Sequence, residues 1–365
     1  MVATVATMEE RLADFYAPGY RIRVGAVDLV ADLGLEVANV QVEASLGTAA
    51  RFSFVLNGVF DIEQRDFAYF LDFFEVGAPV QIDLGYRDLL VPMIDALITS
   101  VSTSFPSSGL PQITVSGYDR SYRMMRGKRS RSRGTNRSGT KHSEVVASVA
   151  GDYELNSRVQ DTKVMHPKVE QNQESDFKFI QRLAELNGFE CYVRLDELRF
   201  VPPANDLDEN LTLEWGAGLI SFSPEINVNQ QIARVEVVGW DARTKKPIVG
   251  TAGRRDEPGR DRGRRSGAEV ARDVFGKAPV LRVRRPVYSK AEADQRAASI
   301  LKQRAERYVT GSGEAVGLPQ LLPDTNVEIK GVGADLGRVY YVEQATHSLT
   351  ASGYRTTFRV KETTV

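Results

Sequence analysis

Hydrophobic and polar residues alternate over much of the first 120 residues. The alternation is clearest over residues 52–56, 80–84 and 111–117, and glycine and proline residues separate these runs. A period of two places one face of a strand on a core and the other face toward solvent or a partner. The pattern therefore predicts a mainly β domain over residues 1–120.

One helix is predicted to interrupt these strands, at about residues 62–75. Four apolar residues recur there at helical spacing, namely Phe67, Phe70, Leu71 and Phe74. Such residues form a stripe along one side of a helix. We expect this helix to cover an open end or a side of a β-barrel.

A basic segment, residues 121–142, follows the first domain. From Arg120 to Lys141 the chain has nine basic residues and no acidic one. This composition does not bury a core, so we expect an exposed connector or one that a partner orders. Six side chains are candidate partner contacts: Arg123, Arg126, Lys128, Arg129, Arg131 and Arg133. The segment contacts the acidic surface of a neighbouring subunit, or it is a solvated linker. Nucleic-acid binding is the weakest alternative, because only Tyr122 offers a stacking surface among the charges.

A small α+β domain is predicted at residues 143–204. Ser175 is placed to cap a helix with Phe177 and Ile180 on its apolar face, and Gly188 suits the positive φ of a helix C-terminus. Residues 189–201 then predict a β-hairpin.

The last predicted domain, residues 205–365, returns to strands. In its clearest strand four inward residues alternate with four outward ones, which are Arg355, Thr357, Arg359 and Lys361. A helix over about residues 290–309 begins at the capping-box pair Ser289 and Glu292. The charged, glycine-rich residues 253–267 predict a mobile loop.

Both β domains show the same order of predicted elements: helix, strand, long strand, glycine turn, strand. The order spans about residues 62–119 in the first domain and about residues 290–362 in the second. A repeated order of this kind indicates two copies of one structural unit. The predicted fold class is mainly β with an α+β insert, comprising two β-barrel domains and one small α+β domain.

Composition and charge narrow the possible functions. Among the 365 residues, 47 Lys and Arg face 48 Asp and Glu, so the net charge of −1 gives no general attraction to nucleic acid or anionic membranes. The single Cys191 excludes an intramolecular disulfide, and three histidines leave little material for a metal site. No segment has the roughly 18–20 apolar residues of a membrane span, and the N-terminus has no secretory h-region. We expect no membrane insertion and no Sec export.

Familiar catalytic motifs are missing from the sequence. It has no G-x-S-x-G elbow, H-E-x-x-H motif, P-loop or complete dinucleotide fingerprint. His347 is expected to be a hydrogen-bonded structural residue and Cys191 a small buried strand residue. We therefore predict no catalytic, cofactor-binding or metal-binding residues and no enzyme activity.

Three stretches resemble the phage late control protein D family, the central baseplate hub of contractile tails and contractile injection systems. They are residues 74–86 with 97–101 and 105–119, residues 171–193 with 198–200, and residues 341–347 with 353–360. The middle stretch, QNQESDFKFIQRLAELNGFECYV, is the most specific. It is also similar to the hub portion of type VI spike proteins.

The resemblance implies a homotrimer in which each chain carries two tail-tube-like β-barrels, so that three chains form a pseudo-sixfold ring. Such a hub adapts a hexameric inner tube above to a trimeric spike below, next to baseplate wedge proteins, in a phage-like particle assembled in the bacterial cytoplasm. Because the chain stops five residues after Val360, we expect the spike to be a separate polypeptide.

The ring would enclose a lumen through which cargo or DNA passes without specific binding. The expected lumen-facing residues are Arg355, Thr357, Arg359 and Lys361, with Gln81 and Asp83 as an alternative strand face. Two other functions stay open. A tail-tip cell-wall hydrolase would need an extra domain with a carboxylate pair, and a nucleic-acid-binding module would act through the basic segment with strong salt dependence.

Overall fold

The computed structural model describes the following residues: 3–4, 17–67, 73–135, 138–257, 264–276 and 279–365. Their buried hydrophobic side chains form one large cluster that runs through both β-rich regions, and two smaller clusters. One small cluster lies in the α+β domain and the other in a unit inserted into the second β-rich region. Over the described ranges, no helix is both long and apolar enough to cross a membrane.

The first β domain is an antiparallel sheet. Its strands, with β1 at the N-terminus, are β1 Ala3–Thr4, β2 Pro18–Val24, β3 Val27–Asp28, β4 Glu36–Ser45, β5 Arg51–Asn57, β6 Phe60–Asp61, β7 Asp66–Phe67, β8 Pro79–Tyr86, β9 Leu89–Ser104 and β10 Gln112–Asp119. The sheet order is β3-β2-β8-β9-β10-β5-β4, while β6 and β7 form a separate hairpin. Strand β1 pairs with the second β domain instead.

The helix predicted at residues 62–75 is wrong over residues 62–67. The Asp61 carboxylate accepts hydrogen bonds from the backbone N–H groups of Glu63 and Gln64, which favours a turn over a helix. The hairpin that results brings Phe60 and Phe67 within 4.9 Å, centroid to centroid. The prediction is also wrong over residues 73–75, which form no helix although Phe74 is buried. The remaining stripe positions, 70 and 71, lie outside the described residues.

The basic segment and the α+β domain form one packed unit. Its elements are α1 Tyr122–Met125, β11 Arg129–Arg133, β12 Thr140–Lys141, α2 His142–Asp152, β13 Asn156–Val159, β14 Met165–His166, β15 Val169–Glu174, α3 Asp176–Asn187, β16 Glu190–Arg194 and β17 Glu197–Val201, followed by a 3-10 turn at Ala204–Asp206. As predicted, Ser175 Oγ accepts from the Lys178 N–H and Gly188 ends α3 at φ 67°. The predicted hairpin is β16–β17.

The second β domain contains a closed barrel. The elements after residue 206 are β18 Leu211–Trp215, β19 Gly218–Ile226, β20 Arg234–Asp241, β21 Lys246–Ala252, α4 Gly267–Phe275, β22 Val280–Arg284, α5 Lys290–Ala305, β23 Val309–Val316, β24 Asn326–Lys330, β25 Val339–Thr350 and β26 Gly353–Glu362. Strands β18, β19, β23, β26, β25 and β24 pair in a ring that returns to β18. The predicted mainly β fold with an α+β insert is confirmed.

An inserted unit, residues 232–305, separates β19 from β23. Strands β21, β20 and β22 form a three-stranded sheet, and α5 packs on it around Val235, Val237 and Leu301. Residues 205–365, predicted as one barrel domain with a mobile loop at 253–267, thus contain a second folded unit. Part of that loop is outside the described residues, and Ser266 at its end caps α4. The helix α5 therefore belongs to the inserted unit and precedes β23, not β24.

The two β domains share one strand order. Numbered 1 to 6 along the chain, strands β2, β4, β5, β8, β9 and β10 are arranged 1-4-5-6-3-2, and so are β18, β19, β23, β24, β25 and β26. The second set closes because β19 pairs with β18. In the first set the Tyr20 hydroxyl of β2 donates to Val37 O of β4 at 3.1 Å. The first strand differs in direction, since β2 is antiparallel to β8 while β18 is parallel to β24.

A shared β-bulge fixes the equivalence of the two domains residue by residue. The pairing of β9 with β10 skips Thr99, and the pairing of β25 with β26 skips Glu343. Bulges mark specific positions in a sheet. Alignment on this bulge makes Ser100 equivalent to Gln344, and the pairing registers of β8–β9 and β24–β25 then coincide.

Candidate functional site

Strand β4 of the first domain pairs with β25 of the second, and this pairing joins the two domains. The register runs antiparallel from Gln344 opposite Ser45 to Leu349 opposite Val40. The result is a continuous antiparallel sheet of eight strands in the order β19-β23-β26-β25-β4-β5-β10-β9. Four strands come from each domain, and they occupy equivalent positions.

One side of this sheet is hydrophobic core and the other is polar. We call the polar side the polar face, and most of its side chains are hydroxyls or amides: Gln41, Ser53, Ser100, Ser102, Ser116, Ser221, Ser223, Ser312, Gln344, Thr346 and Thr357. Glu43 lies opposite Arg51, and the two side chains form an ion pair with an Nε–Oε distance of 2.9 Å. Such a surface is hydrated and carries charges of both signs.

Three of the four residues expected to face a lumen lie on the polar face. Arg355, Thr357 and Arg359 are exposed, and they alternate with the buried Thr356 and Phe358. Across β25 their partners are Ser348, Thr346 and Gln344, which are polar as well. The alternative pair, Gln81 and Asp83 on β8, does not fit a lumen-facing role. Asp83 is buried, and its carboxylate lies 3.6 Å from the Arg23 guanidinium.

The prediction that Lys361 faces a lumen is wrong. Its side chain is only 13% exposed, because α5 and β16 cover this end of the strand. The Lys361 Nζ lies 2.8 Å from Glu306 and 3.6 Å from Glu190, above the ring of Tyr341. Burial raises the pKa of Glu190 to about 7, while Lys361 opposes that shift. Lys361 therefore joins the barrel to the α+β domain.

The basic segment finds acidic partners within its own chain. Strand β11 pairs with β15, so Arg129 and Arg131 reach the buried carboxylate of Asp176 at 3.1 and 2.8 Å. Arg131 and Arg133 also pair with Asp152 at 3.1 and 3.7 Å. The expectation of a loose connector that a partner must order is wrong for these three arginines. The sequence missed this because Asp152 and Asp176 lie on helices of the next domain.

The other three candidate contacts of the basic segment remain available to a partner. Among the described residues, Arg123, Arg126 and Lys128 form no ion pair. The Arg126 guanidinium lies 6.0 Å from the ring centroid of Tyr122, which stacks on Tyr118 at 5.1 Å and 10°. Tyr118 is at the edge of the polar face, so this cationic surface continues from that face.

The buried nucleophile and histidine candidates occupy structural positions. Cys191 is buried in β16, and burial raises the pKa of its thiol far above the usual range. His347 is buried in β25, where its ring bonds to Tyr354 and to Leu321 O at 2.9 and 3.1 Å. The predicted hydrogen-bonded role of His347 is thus confirmed. Burial lowers the pKa of His347 to about 4, which keeps the ring neutral.

A family model described as the Alg8 N-terminal domain matches residues 22–351. The chain belongs to this family. The Alg8 N-terminal domain match runs from within β2 to just past β25, so it includes both β domains and the units between them. No curated protein sequence matches the chain at a significant level.

Solved structures of tail proteins share this fold of the Alg8 N-terminal domain family. The chain is similar to the 43 kDa tail protein of prophage MuSo2 from Shewanella oneidensis, with a TM-score of 0.70 and 12% identity over 94% of this chain and 98% of that one. The chain is also similar to a tail protein from Neisseria meningitidis, with a TM-score of 0.67 and 13% identity over 95% of this chain and 97% of that one.

An E. coli component of the type VI secretion system is similar as well. It gives a TM-score of 0.53 and 12% identity over 89% of this chain and 73% of that one. That protein itself exhibits structural similarity to the T4 bacteriophage tail proteins gp27 and gp5. The resemblance drawn from the sequence is therefore confirmed at the level of the fold.

Proposed function

We propose that the protein is a structural baseplate hub whose three copies form a pseudo-sixfold ring between an inner tube and a separate spike. The observation that carries this proposal is the β4–β25 pairing within one chain. It joins strand position 2 of the first domain to strand position 5 of the second. Position 5 of the first domain and position 2 of the second are then left at the two ends of the eight-stranded sheet.

Those two end strands have the unpaired edges that the same junction requires. Strand β9 is paired with β8 only as far as Leu97, and β19 is paired with β18 only at Gly218 and Leu219. Exposed edges are templates for pairing with another chain. Pairing β9 of one copy with β19 of the next repeats the internal junction, and a closed ring satisfies every edge.

The equivalence of the two domains predicts the register of this contact. Within the chain Thr346 lies opposite Glu43. The equivalent residues are Ser102 on β9 and Glu225 on β19, so these two lie opposite each other between copies. Pro224, which has no N–H, limits uncontrolled pairing along that edge.

The ends of the ring would differ. The α+β domain follows the end of β10 and the inserted unit follows the end of β19, and the pairing registers place both ends on the same edge of the eight-stranded sheet. The opposite edge carries the connections between strands. We assign that simpler edge to the tube, whose subunits repeat sixfold, and the decorated edge to the spike and neighbouring baseplate proteins.

The polar face would line the lumen. Hydroxyls and amides hold water at the surface, and charges of both signs give no strong attraction to a passing chain. An apolar lining would expose large hydrophobic patches that bind cargo. This function needs no catalysis and no cofactor.

A disulfide experiment tests the ring. The variant Ser102→Cys with Glu225→Cys should form a disulfide between copies. The Cα atoms of opposite residues in an antiparallel pair lie about 4.5–5.5 Å apart, a distance that a disulfide spans. The native Cys191 is buried and does not compete. Oxidation of concentrated protein or of purified particles should give covalent trimers.

The matched control is Thr346→Cys with Glu43→Cys, which occupies the equivalent positions inside one chain. It should form its disulfide without joining copies. If this control oxidises while the Ser102 and Glu225 variant stays reduced in assembled particles, the proposed contact between β9 and β19 is wrong.

A further inference from the structure

Two histidines stack face to face where the α+β domain meets the inserted unit. His142 begins α2 and His166 ends β14, and their ring centroids are 3.9 Å apart with an angle of 6° between the planes. Both side chains are about 5% exposed. The stack places two titratable rings in one buried pocket, and neither has a role in the proposed ring.

Their hydrogen bonds fit neutral rings. The Asn187 amide Nδ2 lies 2.8 Å from His142 Nδ1 and donates to it, so that nitrogen carries no proton. His166 Nε2 is buried without a hydrogen-bond partner among the described residues. His166 Nδ1 lies 3.7 Å from Glu292 Oε1, beyond hydrogen-bond distance.

Charged groups surround the stack on every packed element. Glu292 and Arg296 face it from α5 and form an ion pair at 2.6 Å, while Arg182 acts on it from α3. At the start of α2, Glu144 accepts from the Lys141 N–H. Lys141 Nζ pairs with Asp161 at 2.9 Å. The acidic groups nearest the stack are thus already paired with cations or backbone donors.

The stack belongs to a joint between two units, formed by α3 and α5. Asn187 Oδ1 accepts from Gln295 Nε2 at 2.5 Å, and Ser299 Oγ donates to Glu185 O. A Cβ on Gly188 would lie 3.6 Å from Ser299, so the helices approach closely there. Asn187 touches both His142 and Gln295, which links the histidine stack directly to the joint.

We propose that the His142–His166 stack is an acid-sensitive latch that holds the α+β domain against the inserted unit at neutral pH and releases it on acidification. A proton on His142 Nδ1 would point at the Asn187 amide hydrogens and break that bond. A proton on both rings would place like charges 3.9 Å apart, beside Arg296. The joint would then open while the two β domains stay folded.

The direction of the pH dependence follows from burial. Burial lowers the pKa of His142 to about 3, and it lowers that of His166 as well despite the opposing charge of Glu292. A neutral buried histidine gains protons when its site opens, so the open state binds more protons. The joint is therefore most stable above the ordinary histidine pKa of about 6.5, and it weakens as pH falls below that value.

Hydrogen exchange at two pH values tests the latch. After correction for the intrinsic rate, amides of α3 and α5 should exchange about tenfold faster at about pH 5 than at about pH 7.5. Strand β5 in the first β domain contains no histidine, so it serves as the internal control and should not change. The variant His142→Phe with His166→Phe keeps a stacked pair without titration, and it should lose the pH dependence.

Equal acceleration in the wild type and the double variant would overturn the proposal, and so would unchanged exchange in the wild type. If the double variant does not fold, histidine-selective NMR titration of the wild type decides. If both rings titrate near the ordinary histidine pKa and the resonances of α3 and α5 do not change, the latch is contradicted. The joint lies within one chain, so this outcome is independent of ring formation.

Discussion

The two β domains place their large core residues on different strands of an equivalent strand pair. In the first domain Phe52 and Phe54 on β5 lie across from Gly117 and Val115 on β10. In the second, Gly311 and Gly313 on β23 lie across from Val360 and Phe358 on β26. The large side chain has moved to the other strand of each pair.

The exchange of large and small residues shows that the two domains share the volume of a cross-strand pair rather than the residue at each position. Packing requires that the two residues of a cross-strand pair fill the available volume together. It does not require that either position keep its size. The duplication is therefore clear in strand order, register and the shared bulge, while the residues at equivalent positions differ.

The two β domains differ again where β10 and β26 end. Alignment on the bulge makes Tyr118 equivalent to Lys361. Tyr118 is exposed and stacks on Tyr122 of the basic segment. Lys361 is covered by α5 and β16 and pairs with two glutamates. One position on the same strand therefore supplies a surface contact in one repeat and a buried ion pair in the other.

The largest effect should come from Lys361→Met. This substitution leaves Glu306 and Glu190 buried without their cation, and removal of one partner from a buried pair costs about 3–5 kcal/mol. Because burial already raises the pKa of Glu190 to about 7, protonation relieves the loss at lower pH. Urea unfolding should show a larger loss of stability at about pH 8 than at about pH 6. A loss that is equal at both pH values would contradict this account of the cluster.

Substitution of Gly117 should have the next largest effect. A Cβ there would lie 2.0 Å from Leu97 O and 2.8 Å from the Phe52 ring. Gly117→Ala should therefore destabilise the protein by about 1–3 kcal/mol. Gly311→Ala is the matched change in the second barrel, where the nearest atom is 3.1 Å away on the Phe222 ring. Thermal unfolding should show a smaller loss for Gly311→Ala, and the reverse order would refute the volume exchange.

Two substitutions in the basic segment should separate folding from partner binding. Arg131→Gln removes the Arg131 contacts to Asp152 and to the buried Asp176, so it should cost about 1–3 kcal/mol. Arg126→Gln should leave the stability unchanged, because Arg126 forms no ion pair among the described residues, but it should weaken particle assembly at moderate salt. Chemical unfolding and particle yield measure the two effects. Normal yield with Arg126→Gln, Arg123→Gln and Lys128→Gln together would count against a partner contact.

The smallest effect is expected on the polar face. Arg359→Gln changes an exposed residue two positions before Lys361, so stability should change by less than about 0.5 kcal/mol. Assembly should also be normal, because the face is proposed to contact water and cargo only. Arg359→Gln is thus the surface control for Lys361→Met, and a comparable loss from both would place Arg359 in an interface.

The sequence was sufficient where local pattern decides structure. The alternation around Tyr354 and Phe358, the Ser175 cap, the αL glycine Gly188 and the β16–β17 hairpin are all present as predicted. Each depends on residues within a few positions of one another. Strand β23 was missed because its glycines fit against residues that are distant in the sequence: Gly313 faces the ring of Phe358, and Gly311 faces the ring of Phe222.

The features that define the site come from long-range contacts. The β4–β25 junction joins residues about 300 positions apart, as in the Gln344–Glu43 hydrogen bond. Arg131 forms its ion pair with Asp176, and α5 covers Lys361, only because separate units of the chain pack together. Nothing in the local sequence distinguishes Lys361 from Arg359 before that packing is known.

The most direct test of the hub is symmetry-free image averaging of the isolated assembly, with native mass measurement on the same sample. The account predicts three copies in a threefold ring, with six barrel positions around a lumen lined by the polar face. Strands β9 and β19 of neighbouring copies should pair, as β25 and β4 do within each chain. A stable dimer, or a ring with true sixfold symmetry, would contradict it.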